Sequence, residues 1–135
     1  MRVTLFTLCL LALPLSVRAQ EVDCANAQVQ IEMTFCAEKD FNTADEDLNA
    51  AYQAAVATLK EIDAAQEEGQ RNAVSYLKDA QRAWIKFRDA NCAAEGYLMH
   101  GGSAEPMVVY GCMARLTWAR SNDLWTLASG NDGSN

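Results

Sequence analysis

Histidine is almost absent from this chain: His100 is the single one in 135 residues. No histidine pair exists to hold a metal, and a lone loop histidine is usually just solvated. Basic residues are scarce as well, 11 lysines and arginines against 18 aspartates and glutamates. That balance argues against nucleic acid and anionic lipid as partners, since both require positive charge to neutralise phosphate. No cysteine stands in a C-x-x-C pair, so neither a zinc knuckle nor a thioredoxin-type redox centre is indicated. Beyond the N-terminus no apolar run approaches the length of a membrane span, and no convincing apolar–polar alternation marks a strand. An internal repeat is also lacking.

What is present begins with an export signal. Met1-Arg2 is a short positive start, and Val3 to Val17 is almost wholly apolar, too short for a good span and containing Pro14. Val17-Arg18-Ala19 places cleavage after Ala19. Neither Cys9 nor Cys24 follows the small residue that precedes a lipidated cysteine. Removing residues 1–19 takes Arg2 and Arg18 away, leaving 116 residues with 9 basic and 18 acidic side chains, a net charge of −9. The expectation is a periplasmic or secreted protein with a single domain over 20–129 and a disordered polar tail over 130–135. Four cysteines remain, Cys24, Cys36, Cys92 and Cys112. An even count in a short exported chain predicts two disulfides.

The mature chain reads as all-α. Met33, Ala37, Phe41, Ala44, Leu48, Tyr52, Ala55, Leu59 and Ile62 step by three and four, the spacing of one helix face. Glu38, Asp40, Glu46, Asn49, Gln53 and Lys60 fall between them and suit a wet face. Thr43 ahead of Asp45 and Glu46 offers a helix start inside the run, so a break near Asn42-Thr43 competes with one helix of about eight turns. Glu67-Glu68-Gly69-Gln70 separates a second helix lined by Leu77, Ala80, Trp84 and Phe87, its stripe widened by Ile85 and Cys92. After Gly96 and the loop His100-Gly101-Gly102-Ser103, a third helix presents Val109, Cys112, Met113, Leu116, Ala119, Leu124 and Leu127. Ser103 fits as its N-cap, with Glu105 and Pro106 in the first turn.

The fold expected is a small disulfide-bridged bundle built on a long antiparallel helical hairpin plus a third long helix. With the hairpin tip near Gln66–Gly69, all four cysteines gather at one pole. Cys92–Cys112 is the preferred bridge because it closes the Gly-rich loop, and Cys24–Cys36 follows if the chain folds back after Cys24. Twelve positions of unbroken helix would separate that pair by about 18 Å. Cys36–Cys92 with Cys24–Cys112 remains the competing arrangement.

The segment Leu77-Lys-Asp-Ala-Gln-Arg-Ala-Trp-Ile-Lys-Phe-Arg-Asp-Ala-Asn-Cys92 resembles the signature of the lysozyme-inhibitor LprI N-terminal domain family, long filed as a domain of unknown function. Cys36-Ala37, Ala44-Asp45, Leu48-Asn49, Tyr52, Gly101-Gly102-Ser103, Cys112, Thr117, Arg120 and Leu124 agree with it, so the resemblance spans Cys24 to about Leu127. It implies a helical, exported, cysteine-bridged protein, with lysozyme inhibition as the family's namesake activity and a cationic lysozyme as the protein partner.

Gln81, Trp84 and Arg88 share a helix flank and predict a structural network with Asp45, Asn49 and Tyr52, in which Arg88 pairs with Asp45 across the hairpin. An enzyme is not expected. His100 and Ser103, three residues apart, lack an evident orienting acid, and the Asp45-Glu46-Asp47 and Glu67-Glu68 clusters lack the spacing and glycine of a calcium loop. No cofactor, metal or catalytic residue is assigned. His100, Gly101, Gly102, Ser103 and Glu105 form the candidate partner-binding loop. An interaction or immunity module for another envelope-acting protein, or a structural envelope protein, is the alternative function. Nonreducing peptide mapping decides the connectivity: a Cys92–Cys112 peptide is expected, and a Cys36–Cys92 peptide selects the competing arrangement.

Overall fold

The computed structural model describes residues 22–130, so the export segment, its cleavage site and residues 131–135 lie outside the described residues. The elements are α1 (Gln30–Ala64), α2 (Ala73–Gly96) and α3 (Glu105–Ala128), with single 3-10 turns at Glu68–Gln70 and Tyr97–Met99. Among the described residues there is no strand.

α1 is 35 residues long, about 52 Å, and runs unbroken through Asn42-Thr43. The Thr43 hydroxyl donates to the Lys39 carbonyl one turn back, at 2.9 Å, so it is engaged inside the helix instead of capping a new one. Asp63, in the last turn of α1, reaches across the turn to the start of α2. Its carboxylate accepts from the backbone N–H of Ala73 at 2.9 Å and of Val74 at 3.2 Å, satisfying two of the free amides there. A side chain at the end of one helix therefore caps the start of the next and ties the two ends together across the turn.

α3 returns parallel to α1. Partners rise together along both helices: Gln30 with Met107, Asp40 with Trp118, Asp47 with Trp125, and Thr58 with the Ala128 carbonyl. α2 runs antiparallel between them in sequence, and α3 is the principal partner of α1. The two helices approach closely because their facing sides are small. α1 buries Ala44, Ala51 and Ala55, and α3 buries Ala114, Thr117 and Ser121. Leu48, Leu59, Leu77 and Leu124 fill the remaining core, with Tyr52 and Trp84 packed at its edge.

Two stripes differ from the sequence pattern. α3 buries Cys112, Ala114, Thr117, Ser121 and Leu124, while Ala119 and Leu127 are exposed and Val109, Met113 and Leu116 are half-buried. The larger side chains flank the contact because only the small side of α3 fits against the alanines of α1. α2 buries Leu77, Gln81, Arg88, Cys92 and Gly96, leaving Ala80, Ile85 and Phe87 exposed. Its polar inward residues are held by partners on α1 and α3, which apolar periodicity does not register.

In the structure Cys24 is joined to Cys36 and Cys92 to Cys112, with Cα–Cα separations of 5.5 and 5.4 Å. The chain folds back at Cys24 through Asp23, whose carboxylate accepts from the Ala25 amide at 3.0 Å and from the Asn26 side chain at 2.7 Å. Those bonds, the Asn26 side chain first, hold the Asp23 carboxyl below its ordinary range. Both bridges lie at the end where α1 and α3 begin and α2 finishes. There, Gly96 is buried against α3, and a side chain at this position would collide with Val109.

Ala51, with 0 % exposure, tests the close approach. Ala51→Leu should lower stability by about 1–3 kcal/mol through overpacking. Urea denaturation reads the change, and an unaltered midpoint would mean that α1 and α3 do not meet there.

Candidate functional site

Arg88 is 8 % exposed and joins the three helices. Its Nε donates to Asp89 at 2.9 Å, and Nη1 lies 3.4 Å from both the Asp45 carboxylate and the Thr117 hydroxyl. The guanidinium also sits 5.2 Å from the ring centres of Phe41 and Trp84, so its faces meet aromatic quadrupoles while its edge meets acceptors. Asn49 donates to the Asp45 carboxylate at 3.2 Å and to its carbonyl at 2.8 Å. Asp45, Asn49, Trp84 and Arg88 thus come together. Tyr52 packs on the apolar cluster instead, and Gln81 accepts from Arg120 at 3.0 Å in a separate link between α2 and α3.

Carboxylates on both flanks of the buried side of α1 reach the aromatic residues of α3; Asp40, Glu46 and Asn49 are exposed, as a wet face requires, but Asp40 also has a partner on α3. Glu38 accepts from the Tyr110 hydroxyl at 3.3 Å, Asp40 from the Trp118 indole at 3.0 Å, and Asp47 from Ser121 and from the Trp125 indole at 3.2 Å. The nearby Glu38 charge is the main cause raising the Tyr110 phenol above its ordinary value. Each donor is more than 70 residues from its acceptor, so no local spacing signals the pairing.

The candidate loop is built by Glu105. Its carboxylate accepts from the Gly101 amide at 2.9 Å and lies 3.3 Å from His100 Nδ1. These contacts, the Gly101 amide first and His100 second, hold the Glu105 carboxyl below its ordinary value of 4.5. Gly101 adopts φ +78°, where a side chain is strained, and a Cβ on Gly102 would press to 3.1 Å on the Met99 carbonyl. The Tyr97 and His100 rings stack with centres 4.4 Å apart. Ser103 is exposed and does not cap α3, whose first residue follows Ala104. The acid that no spacing in the sequence assigns to His100 is therefore Glu105, but its arrangement fixes the loop and brings no hydrogen bond between His100 and Ser103.

Leu98 at 81 % exposure and Met99 at 49 % make the outer surface of this turn apolar, beside the polar Ser103. The buried Cys92–Cys112 bridge closes the segment at its base. A separate open groove on α1, lined by Phe35, Glu38, Lys39, Asn42, Thr43 and Glu46, includes none of these residues. Among the described residues no group of three or more potential ligands is placed to hold a metal ion.

A helical bundle with two disulfides at one pole and a braced loop between α2 and α3 defines a small cysteine-bridged scaffold of the kind suited to an oxidising compartment. The chain belongs to the lysozyme inhibitor LprI family, whose model matches residues 23–124. An uncharacterized protein of Rhizobium meliloti (strain 1021) is 40 % identical over 118 residues, 82 % of each chain. The crystal structure of a DUF1311 family protein from Pseudomonas putida KT2440 shares the fold, with a TM-score of 0.63 and 23 % identity over 74 % of this chain and 94 % of that one. The LprI family is exported, and no helix among the described residues is long and apolar enough to cross a membrane.

Glu105→Ala should leave the helical circular dichroism intact while the Gly101 amide loses protection from hydrogen exchange. In the wild-type protein the clamp is complete above the ordinary carboxylate range and is lost as pH falls through the lower value of Glu105. An unchanged Gly101 exchange rate in the variant would remove Glu105 from that role.

Proposed function

We propose that this protein is a non-enzymatic inhibitor of lysozyme that blocks the enzyme's saccharide cleft with its Tyr97–Glu105 loop. Membership of the LprI family carries the reading. The loop supplies what cleft blocking requires. It is held in one shape before binding by Glu105, by the Tyr97–His100 stack and by the bridge at its base, so little conformational freedom is lost on association. Leu98 offers apolar surface to the cleft wall, and the exposed Ser103 hydroxyl and His100 imidazole supply hydrogen-bonding groups for the carboxylate pair that lysozymes use.

Charge supplies the approach. Lysozymes are commonly basic, and a mature chain at −9 with carboxylates concentrated on α1 steers such a partner by its field. Association should therefore weaken as added salt screens that field.

A turbidity assay against a panel of lysozymes tests the activity. Inhibition at micromolar protein and low salt is expected, decreasing with ionic strength. Absence of inhibition of every type would sink the proposal. Gly101→Val and Ser103→Arg should each raise the inhibitory concentration by about tenfold or more with the fold unchanged, as for a central interface residue. Retained potency in both would move the contact away from the loop.

A further inference from the structure

Along α2, Tyr76, Ala80, Ala83, Phe87, Ala90 and Ala94 recur at alternating steps of four and three. All six are exposed, Tyr76 by 71 % and Phe87 by 56 %. At about 100° per residue they form one stripe roughly opposite the buried face of Leu77, Gln81, Arg88 and Cys92. The outward charges Lys78, Asp79, Arg82, Lys86 and Asp89 fall along one edge and leave the stripe itself uncharged. Such alternation is the 3.5-residue period of a helix seam, which one helix presents to another. Here the bundle leaves the seam facing solvent.

We propose that this stripe is a self-association surface on which two copies of the chain pair their α2 helices antiparallel, about a two-fold axis level with residue 85. Side-chain size selects a second copy in that orientation. Antiparallel pairing about residue 85 sets Phe87 against Ala83 of the second copy, Tyr76 against Ala94, and Ala80 against Ala90. Every ring then meets an alanine, as close packing requires. Parallel pairing sets Phe87 against itself and alanine against alanine, which leaves gaps on either side of the rings.

Charge selects the same occupant. The mature chain is strongly acidic, and its carboxylates concentrate on α1 at Glu38, Asp40, Asp45, Glu46 and Asp47. A cationic protein is drawn to that helix. On α2, cations and carboxylates are mixed, so two acidic copies meet there with less repulsion than on α1. Extent sets the strength. The stripe from Tyr76 to Ala94 is about 27 Å long, and a single helix pair of that length falls at the low end of specific interfaces, below about 1,200 Å². Lys86 also approaches its own symmetry mate. The dimer is therefore weak and reversible.

Sedimentation equilibrium of the mature, disulfide-intact protein tests the interface. The mass should rise toward twice the monomer between about 1 μM and about 300 μM, the range of a micromolar dissociation constant. Phe87→Arg and Ala83→Glu, both at exposed positions, should each weaken association about tenfold or more while the circular dichroism stays unchanged. Mixing these two variants should restore a heterodimer, because the introduced arginine then faces the introduced glutamate across the axis. Lys86→Ala should tighten the dimer. A wild-type chain that stays monomeric over the whole range, or a Phe87→Arg chain that dimerises equally well, overturns the interface. A mixture that remains monomeric overturns the antiparallel register. None of these outcomes depends on lysozyme inhibition.

Discussion

The close approach of α1 and α3 governs the rest of the molecule. Helices can run side by side at short range only where both present small residues, and here Ala44, Ala51 and Ala55 face the side of α3 that carries Ala114, Thr117 and Ser121. Small side chains bury little apolar area each, so this contact gains less hydrophobic stabilisation than a leucine seam of equal length. The deficit explains the polar reinforcement around it. Tyr110, Trp118 and Trp125 reach over the contact to carboxylates of α1, and Arg88 enters from α2 to bind Asp45 on one side and Thr117 on the other. Two covalent bridges then fasten the pole where the helix ends would otherwise fray.

The three helices are legible in the sequence because α1 keeps its apolar spacing for its whole length and because glycine clusters punctuate the remainder of the chain. The faces of α2 and α3 are less so. Their most buried positions include Gln81, Arg88, Thr117 and Ser121, residues that a pattern of apolar spacing places outside. Only the partner, more than 70 residues distant for Ser121 and Asp47, makes such burial favourable. Local chemistry misleads in the same way at Ser103. It stands where a cap belongs, yet Glu105 turns its carboxylate back to Gly101, and the helix starts without a side-chain cap. The left-handed Gly101 backbone decides between the two, and sequence alone does not fix that conformation.

The molecule divides its surface by chemistry. α1 carries most of the negative field, the bridged pole carries the rigid loop, and α2 carries an uncharged stripe between them in sequence. In the proposed inhibitor, attraction at long range and contact at short range thus reside on different elements. Such a division would let the loop be apolar at Leu98 and Met99 in the proposed complex without forfeiting electrostatic guidance, since the negative charge is fixed elsewhere on the same rigid body.

The parallel course of α1 and α3 has a consequence for how the chain is assembled. Two parallel helices cannot be joined by a short turn, so the whole of α2 serves as the return path between them. The first helix to emerge from synthesis must wait for the last before its alanine side is covered. Because the main contact joins the first and last helices instead of neighbours in sequence, the mean sequence separation of contacts rises and folding slows accordingly. Neither bridge shortens that wait, because each closes a loop within its own end of the chain, 12 and 20 residues long.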